Sequence, residues 1–431
     1  SLKFKLIYVC SLLSIIPLLI TGYITFDFYT TSMKVQSLNQ LASVRNIKKS
    51  QVTDYFEDLK NQLQLLIGTP NKDEMSGYNT RAVAEILDFN MALSTFDKDP
   101  QIAEPILSSL FQNNSANNSA NPVVNRVLYD ELHSEIHPKY LGLVEKFNLL
   151  DLFLISNTGT VLYSVKKNAQ FGTNLNRGPY TLSGLANTFR KVVVSTAHIN
   201  DRQALPFIFT DFSFDKLQRQ PTAYIATPVF NVGDFSGAIV FQISQAEINK
   251  IMDERDGLGT TGESFLVGAD SQPRSMPPRL ERFNSQSAPP TPTPNFNSPS
   301  INQALQGKSV KGESVSYLQD EVLEATAPID VFGHQWAVVV QITTEEAYAS
   351  ISELSFIVSL IILATIIAVL IIGYLVTNSI ASPVATLTQS AEAIALGDLE
   401  KGIDIQSKDE LGRLASSFNT MRDAVKTKIE E

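Results

Sequence analysis

The sequence predicts an α+β chain: a long N-terminal stalk helix, two tandem antiparallel-sheet modules, two transmembrane helices, and a short helical unit beyond the second of them. Three observations carry this. Two charge-free apolar runs stand far apart, Leu6 to Phe26 and Leu354 to Thr377; at ~1.5 Å per helical residue each is long enough for a hydrocarbon core of roughly 30 Å. Between them, a block of alternating apolar strands occurs twice in the same order. After the second run, two short helical patterns flank a polar, glycine-dotted stretch, GDLEKGIDIQSKDELGRL, from Gly397 to Leu414.

The first run, within residues 1–26, reads as a retained anchor. It is longer than the signal-peptide core of roughly 7 to 15 residues, no A-x-A site follows, and the helical pattern continues past it. Lys3 and Lys5 place the N-terminus in the cytoplasm, because positive residues near a span stay inside while long loops translocate whatever their charge. Residues 27–353 are then extracytoplasmic, 354–377 return through the membrane, and 378–431 are cytoplasmic. The formal charge of −10 divides as +2 before the first span, −9 in the loop and −3 after the second span. An acidic external domain is no nucleic-acid binder. The single cysteine, Cys10, lies inside the first span, so neither an intramolecular disulfide nor a thiol metal site is available, and no cofactor is expected.

Residues 27–148 are helical in character. Val52, Phe56, Leu59, Leu63 and Leu66 step by four and three, the seam of a helix lying along its own domain and of a dimer contact, and Arg45 and Lys48 fall near that seam upstream. Gly68, Pro70 and Gly77 close this helix. Shorter amphipathic stretches follow at Val83 to Phe96 and around Pro105 to Phe111, before a flexible NNSANNSA tract with sequons at Asn113 and Asn117 and a last stretch from Val123. His133 and His137 have the spacing of a helical metal pair, but the glutamate is misplaced for H-E-x-x-H and Pro138 is expected to end the helix at once, so they read as a solvated helix end. No metal site and no catalytic nucleophile with a matched base are expected.

Strands occupy two modules. The first, residues 149–252, has LLDLFLISNTGTVLYSV with a turn at Asn157 to Gly159, then TAYIATPVF and SGAIVFQIS framed by Gly233 and Gly237, and returns to helix from Ser244 to Met252. The second, residues 253–353, repeats the order with GESFLVGAD, EVLEATAPI and HQWAVVVQI. Residues 272–300 interrupt it with eight prolines, including PPTPTP, and read as an exposed disordered loop outside any core.

This order resembles the double Cache (PAS-like) sensors of bacterial transmembrane receptors, most like the sensory part of methyl-accepting chemotaxis proteins. FLISNTGTVLYSV and GTTGESFLVGAD are similar to the first hairpins of the distal and proximal modules, and APIDVFGHQWAVVVQITTEEA to the end of the proximal one. In amino-acid-binding members an R-x-W-Y motif of the distal module grips the ligand carboxylate, and an acidic residue on the last strand takes the amine. Here NRGPY keeps Arg177 and Tyr180 but has Pro179 in the tryptophan's place, and Gln242 takes the acid's place. The resemblance therefore implies a small polar or anionic ligand without an α-amine, such as a carboxylic acid; alternatively Arg177 ties down a surface loop. Tyr163, Phe171, Thr173, Asp211 and Tyr224 are further pocket candidates, each equally readable as core or hairpin surface. Arg274 holds a place often occupied by arginine in relatives, and Trp336 reads as core.

After Thr377, Ile380, Val384, Leu387, Ala391 and Ile394 step by four and three, as do Leu411, Leu414, Phe418, Met421 and Val425. Each seam is too short to hold as an isolated helix, and a parallel four-helix bundle built from two protomers satisfies both. The connector then runs back along the bundle, with Gly397 freeing the turn and Leu399, Ile403 and Ile405 pinned to the core. With Pro383 near the start of the first helix and DELG, including Glu410, opening the second, the pattern resembles one half of a HAMP domain. The expected whole is a homodimeric receptor of the bacterial inner membrane with a periplasmic sensor. Its cytoplasmic output is chemotaxis signalling or, alternatively, a receptor enzyme such as a nucleotide cyclase, histidine kinase, diguanylate cyclase or phosphatase. The residues present are not expected to be an enzyme.

Overall fold

Apolar residues recurring by four and three run down one side of the N-terminal helix, and that side decides where the sheets pack. In the computed structural model of the chain, α1 runs unbroken over Leu2–Ile67. The structure describes all residues except 1, 68–80, 97–99, 113–126, 198–205, 232–233, 281–293, 295, 401, 406, 408 and 431. Gly68, Pro70, Gly77, the NNSANNSA tract, Gly233 and most of PPTPTP lie outside the described residues. The chain forms two compact units, one of Ser37–Glu346 and one of Ser1–Gln36 with Ala347–Glu431.

In the larger unit, α2 (Arg81–Phe96), α3 (Pro100–Gln112) and α4 (Val127–Lys146) lead into the first sheet. Its strands are β1 (Leu149–Ser156), β2 (Val161–Ser164), β3 (Ile208–Asp215), β4 (Gln220–Asn231) and β5 (Asp234–Ser244), with α5 (Gly184–Thr196) between β2 and β3. They lie antiparallel in the order β2-β1-β5-β4-β3. Helix α6 (Ala246–Asp253) leads to β6 (Glu263–Gly268), α7 (Pro299–Leu305), β7 (Val310–Val315), β8 (Glu321–Val331) and β9 (His334–Thr343). The second sheet, ordered β6-β9-β8-β7, is the first without β2. The register repeats as well: Pro228 faces Ala238 between β4 and β5, and Pro328 faces Ala337 between β8 and β9. Where β2 would stand, Pro273 bridges to Val267 and the Arg274 N–H donates to the Leu266 carbonyl at 2.7 Å. Each sheet has a serine-capped helix on one face. The Ser183 hydroxyl accepts from Ala186 N at the start of α5, and the Ser298 hydroxyl from Ile301 N at the start of α7.

The other face of the first sheet shares its core with the stalk. Leu152, Leu154, Ile225, Ile239 and Phe241 are buried in one cluster with Val52, Phe56, Leu59 and Leu63 of α1 and Ile86 and Phe89 of α2. At about 1.5 to 3 kcal/mol for each fully buried large apolar side chain, the four seam residues alone outweigh any propensity term in α1. Phe56 also reaches the second sheet, its ring lying 5.7 Å from Phe209 of β3 and 5.6 Å from Trp336 of β9. Arg45 and Lys48 are buried at that seam because each has a specific acceptor. Arg45 donates to the Thr326 carbonyl of β8 at 3.0 Å, and Lys48 to the Glu254 carboxylate after α6 at 3.2 Å.

Two sequence expectations are corrected. Helix α4 continues through Pro138 to Lys146. An interior proline costs about 3 kcal/mol, and burial of Ile136, Tyr140 and Val144 offsets it. His133 and His137 therefore sit within the helix, half-buried and stacked at 4.5 Å, with His137 Nδ1 2.9 Å from the Tyr163 hydroxyl. The span 272–300 is not wholly outside the core: Arg274, Leu280 and Phe296 are buried, and Ser298 caps α7. Its described ends carry apolar anchors that the proline count obscured.

In the smaller unit, α8 (Ala349–Val376) passes through a π-helical stretch, Thr377–Ala381, into α9 (Ser382–Ala395), and α10 (Glu410–Glu430) follows a connector. Both α1 and α8 contain segments long and apolar enough to cross a membrane. Gly397, at φ +91°, ends α9. Leu387, Ile403 and Ala415 form a small core, with Ile405, Leu411 and Phe418 packed against it. Asn419 clamps the connector: its amide accepts from Ile403 N at 2.9 Å and donates to Ile403 O at 2.8 Å. The Asp409 side chain caps α10 by accepting from Leu411 and Gly412 N–H groups. A Cβ at Gly412 would stand 1.7 Å from the Ser407 carbonyl oxygen, which is why the DELG turn ends in glycine.

The joint between the two sheets rests on Asp211 of β3, which accepts from Arg274 Nε at 2.9 Å and Nη2 at 2.8 Å and from Trp336 Nε1 at 3.2 Å. Asp211→Ala leaves a buried guanidinium with Asp270, at 2.9 Å, as its one remaining ionic partner among the described residues. We expect a loss of about 2 kcal/mol in urea unfolding of the full chain in lipid nanodiscs, with Asp211→Ala/Arg274→Met recovering part of it. An unchanged midpoint in Asp211→Ala would refute the joint.

Candidate functional site

Residues paired across neighbouring strands point to the same face of a sheet. In the first sheet Asp151 of β1 pairs with Gln242 of β5, Gln242 with Tyr224 of β4, and Tyr224 with Thr210 of β3. A single polar row therefore crosses four strands, and all four residues are buried. Beside the row the face carries an apolar cluster, with Phe153, Ala226 and Val240 under Leu185 and Phe189 of α5. Helix α5 adds Thr188, whose hydroxyl donates to the Gly184 carbonyl at 2.8 Å and lies 2.9 Å from Thr210 Oγ1, and Lys191, whose ammonium lies 3.5 Å from the same Thr210 oxygen. At the N-terminus of α5, Gln170 donates to Ser183 Oγ at 3.0 Å, and the next residue, Gly184, lies directly against the Tyr224 ring.

The hydrogen-bond directions in the row follow from donor and acceptor inventories. The Tyr224 hydroxyl has one proton, which it donates to the Asp215 carboxylate at 2.8 Å, so it must accept from Gln242 Nε2 at 3.1 Å. Gln242 therefore turns its carbonyl oxygen away from Tyr224. That oxygen and the Gln170 amide oxygen are both buried, and neither accepts a hydrogen bond from any described residue. Leaving a buried acceptor unsatisfied costs on the order of 1 to 3 kcal/mol. Two of them flank one face of this module.

Asp151 ends the row with a full set of donors: Leu152 N at 2.8 Å, Lys166 N at 3.1 Å, Ser164 Oγ at 2.6 Å and Asn168 Nδ2 at 3.2 Å. Burial nevertheless pushes its carboxyl up to about 6, against the lowering effect of these bonds.

Of the residues singled out from sequence, Tyr224 and Gln242 meet in the row. Tyr163 and Phe171 lie in the core on the opposite face, Tyr163 stacked 5.7 Å from Phe89. Asp211, adjacent in sequence to Thr210, points the other way and is engaged at the joint. Arg177 donates to both oxygens of Glu104 of α3 at 3.1 Å. With Thr173, Asn174 and Pro179 they line a cleft of about 420 Å³. Tyr180 is half-buried, and its carbonyl accepts from Ser183 N ahead of α5. Sequence reading missed Asp151, Gln170, Thr188, Lys191 and Thr210. A carboxylate inside the apolar run LLDLFLI was the available signal for Asp151; the helix carrying Thr188 and Lys191 and the strand carrying Thr210 were not recognised.

A carboxyl raised in the folded state lends stability that is present in full below its unfolded value and is lost as pH rises through about 6. The melting temperature of the wild type minus that of Asp151→Asn is therefore expected to rise as pH falls from 8 to 5. A difference independent of pH would refute the burial of this charge.

Residues 375–427 match the HAMP domain family, which bears out the resemblance read from Pro383, Gly397 and DELG. The chain is 27% identical over 212 residues to the methyl-accepting chemotaxis protein PctB of Pseudomonas aeruginosa, covering 48% of this chain and 32% of that protein. It is 41% identical over 70 residues to McpA of Bacillus subtilis, covering 16% and 11%. Among solved structures, the ligand-binding domain of the Campylobacter jejuni chemoreceptor Tlp3 in complex with L-valine matches with a TM-score of 0.40 and 13% identity, covering 74% of this chain and 98% of that one. The chain spans a third or less of the length of these curated relatives. The chain thus carries a HAMP domain at residues 375–427 and is similar over part of its length to methyl-accepting chemotaxis proteins.

Proposed function

We propose that this chain is the sensing and relay part of a homodimeric chemotaxis receptor of the bacterial inner membrane, with residues 27–353 periplasmic and the HAMP domain cytoplasmic. The observation that carries the sensing role is the buried polar row under α5. An apolar face of the same shape would be more stable, so an unsatisfied amide oxygen and a buried carboxylate in one row, with a second unsatisfied amide oxygen at Gln170 ahead of α5, are better explained by a ligand than by packing. The row is also polarised. Unsatisfied acceptors stand at Gln170 and Gln242, while Lys191 and the Thr210 hydroxyl stand at the other end. This suits a small molecule with N–H donors at one end and a carboxylate at the other, such as a free amino acid. The expectation of a ligand without an amine is revised on that ground: Gln242 replaces a single acid, but it does not act alone.

The relay role draws on the exposed half of the α10 seam. Leu414, Met421 and Val425 are 46%, 55% and 40% exposed at heptad spacing, while Leu387 and Ala415 are buried within the chain. A second copy completes the bundle. Ligand binding then shifts a pre-existing balance between module geometries, and HAMP packing follows, provided the ligand favours one state. An alternative output, in a receptor enzyme, uses the same sensor and relay.

Isothermal calorimetry of the full chain in nanodiscs is expected to show amino acids binding at least about tenfold more tightly than the matching 2-hydroxy acids, with Gln242→Leu removing that preference. Equal affinity for both sets, or binding of neither, would overturn the ligand class. For the relay, Met421→Cys in a Cys10→Ser background is expected to give disulfide-linked dimers in vesicles, and Leu387→Asp to abolish them. Only monomers in the first variant would sink the dimeric bundle.

A further inference from the structure

The polar row is repeated at three of its four positions in the second sheet, with a carboxylate in place of the central tyrosine and a glycine in place of the threonine. Glu263 of β6 pairs with Gln341 of β9, Gln341 with Glu324 of β8, and Glu324 with Gly312 of β7. Counted from the matching Pro–Ala pairs, Glu324 stands where Tyr224 stands in the first module. The two carboxylates differ in how they are held. Glu263 accepts from Gln341 Nε2 at 2.7 Å, from the Tyr317 hydroxyl at 2.9 Å and from Arg279 N at 3.1 Å, and the Arg279 guanidinium lies 3.9 Å away. Its charge has a partner.

Glu324 has none. It is 2% exposed, and Ser300 and Ser314 line the same cavity. Its Oε1 is buried and accepts from no described residue, and no described cation lies within ion-pair distance. Burial raises its carboxyl above the usual range. An isolated buried carboxylate is among the least favourable groups a sheet can hold. It lines a cavity of about 540 Å³ whose lining includes no Lys, Arg or His among the described residues. That volume falls in the range of small-molecule sites.

Part of the lining is aromatic. Phe265, Phe296 and Tyr317 line the same cavity, with ring centroids 5.6 Å apart for Phe265 and Phe296, 5.5 Å for Phe265 and Tyr317, and 4.8 Å for Phe296 and Tyr317. A carboxylate without a counter-ion, set among aromatic rings, is the combination that recognises an alkylated ammonium: the charge meets the carboxylate and the methyl groups meet the ring faces.

We propose that the cavity of the second module binds a small alkylammonium cation, with Glu324 as its counter-ion and Phe265, Phe296 and Tyr317 as its apolar and cation–π wall. This site is separate from the row under α5 and does not depend on it.

The test is calorimetry on the full chain in nanodiscs with tetramethylammonium, choline and methylammonium chlorides, and with 3,3-dimethylbutan-1-ol as the neutral carbon analogue of choline. At least one cation is expected to bind, choline at least about tenfold more tightly than its neutral analogue. Glu324→Gln, which keeps the shape of the side chain and removes its charge, is expected to weaken that cation by about tenfold or more. The wild-type comparison of charged and neutral ligands stands even if the variant folds poorly. Binding of none of the three cations, equal binding of the neutral analogue, or undiminished binding to a folded Glu324→Gln chain would each overturn the proposal.

Discussion

The larger unit depends on one helix serving two sheets. The seam of α1 from Val52 to Leu63 is buried against the first sheet, and Phe56 touches Phe209, Phe332 and Trp336, so a single ring is shared by strands of both modules. Neither sheet could slide along α1 without exposing this ring or breaking the polar bonds at its upstream end. Arg45 and Lys48, which look like breaks in the apolar pattern, are the residues that fix position: an apolar seam alone tolerates small shifts, whereas a guanidinium seated on one carbonyl does not. The Asp211 joint adds a second constraint of the same kind, because Arg274 and Trp336 both reach its carboxylate. Hydrophobic burial supplies the stability, and buried charge supplies the register.

How much of this could be read from sequence followed the strength of each pattern. The two apolar runs, the stalk seam and the β4-β5 and β8-β9 repeats are strong periodic signals, and all are present in the structure. Helix α5 and strands β3 and β7 escaped because their alternation is weak: β3 reads IFTDFSFD, half exposed, and β7 has an alternating burial pattern on a polar sequence. Pro138 was misread because a local rule was applied without the tertiary burial of Tyr140 and Val144 that overrides it. The relay unit was legible down to Gly397 and Gly412, yet Asn419 was not, since a side chain that clamps a connector leaves no periodic trace.

The candidate site was legible only in part for a geometrical reason. A strand places alternate residues on opposite faces, so Thr210 and Asp211, neighbours in sequence, join the polar row under α5 and the joint between the sheets respectively. Sequence alone says that one of such a pair is inside, not which. Tyr163 and Tyr224 illustrate the same ambiguity: both are buried strand tyrosines, but cross-strand register sends one to the stalk core and the other to the row under α5. The family pattern that drew attention to Arg177 could not anticipate Glu104, which comes from a helix more than seventy positions away in the chain.

Why both sheets should carry a polar row at all is a question of energetics. Asp151, Glu263 and Glu324 are each held at or near zero exposure, and burial drives all three carboxyls upward. Replacing such groups by apolar residues of similar volume is commonly neutral or stabilising by about 1 to 4 kcal/mol. Local rules for a stable sheet are thus broken at equivalent places in two modules, on the face beneath the serine-capped helix each time, while the opposite face of the first sheet is conventional core. Deviations that recur at one geometrical position are the mark of a site rather than of imperfect packing. The differences between the rows then become informative. With Tyr224 at the centre, the first row presents hydrogen-bonding groups of both kinds; with Glu324 there, the second presents a charge and little else, and the rings beside it define what that charge can hold.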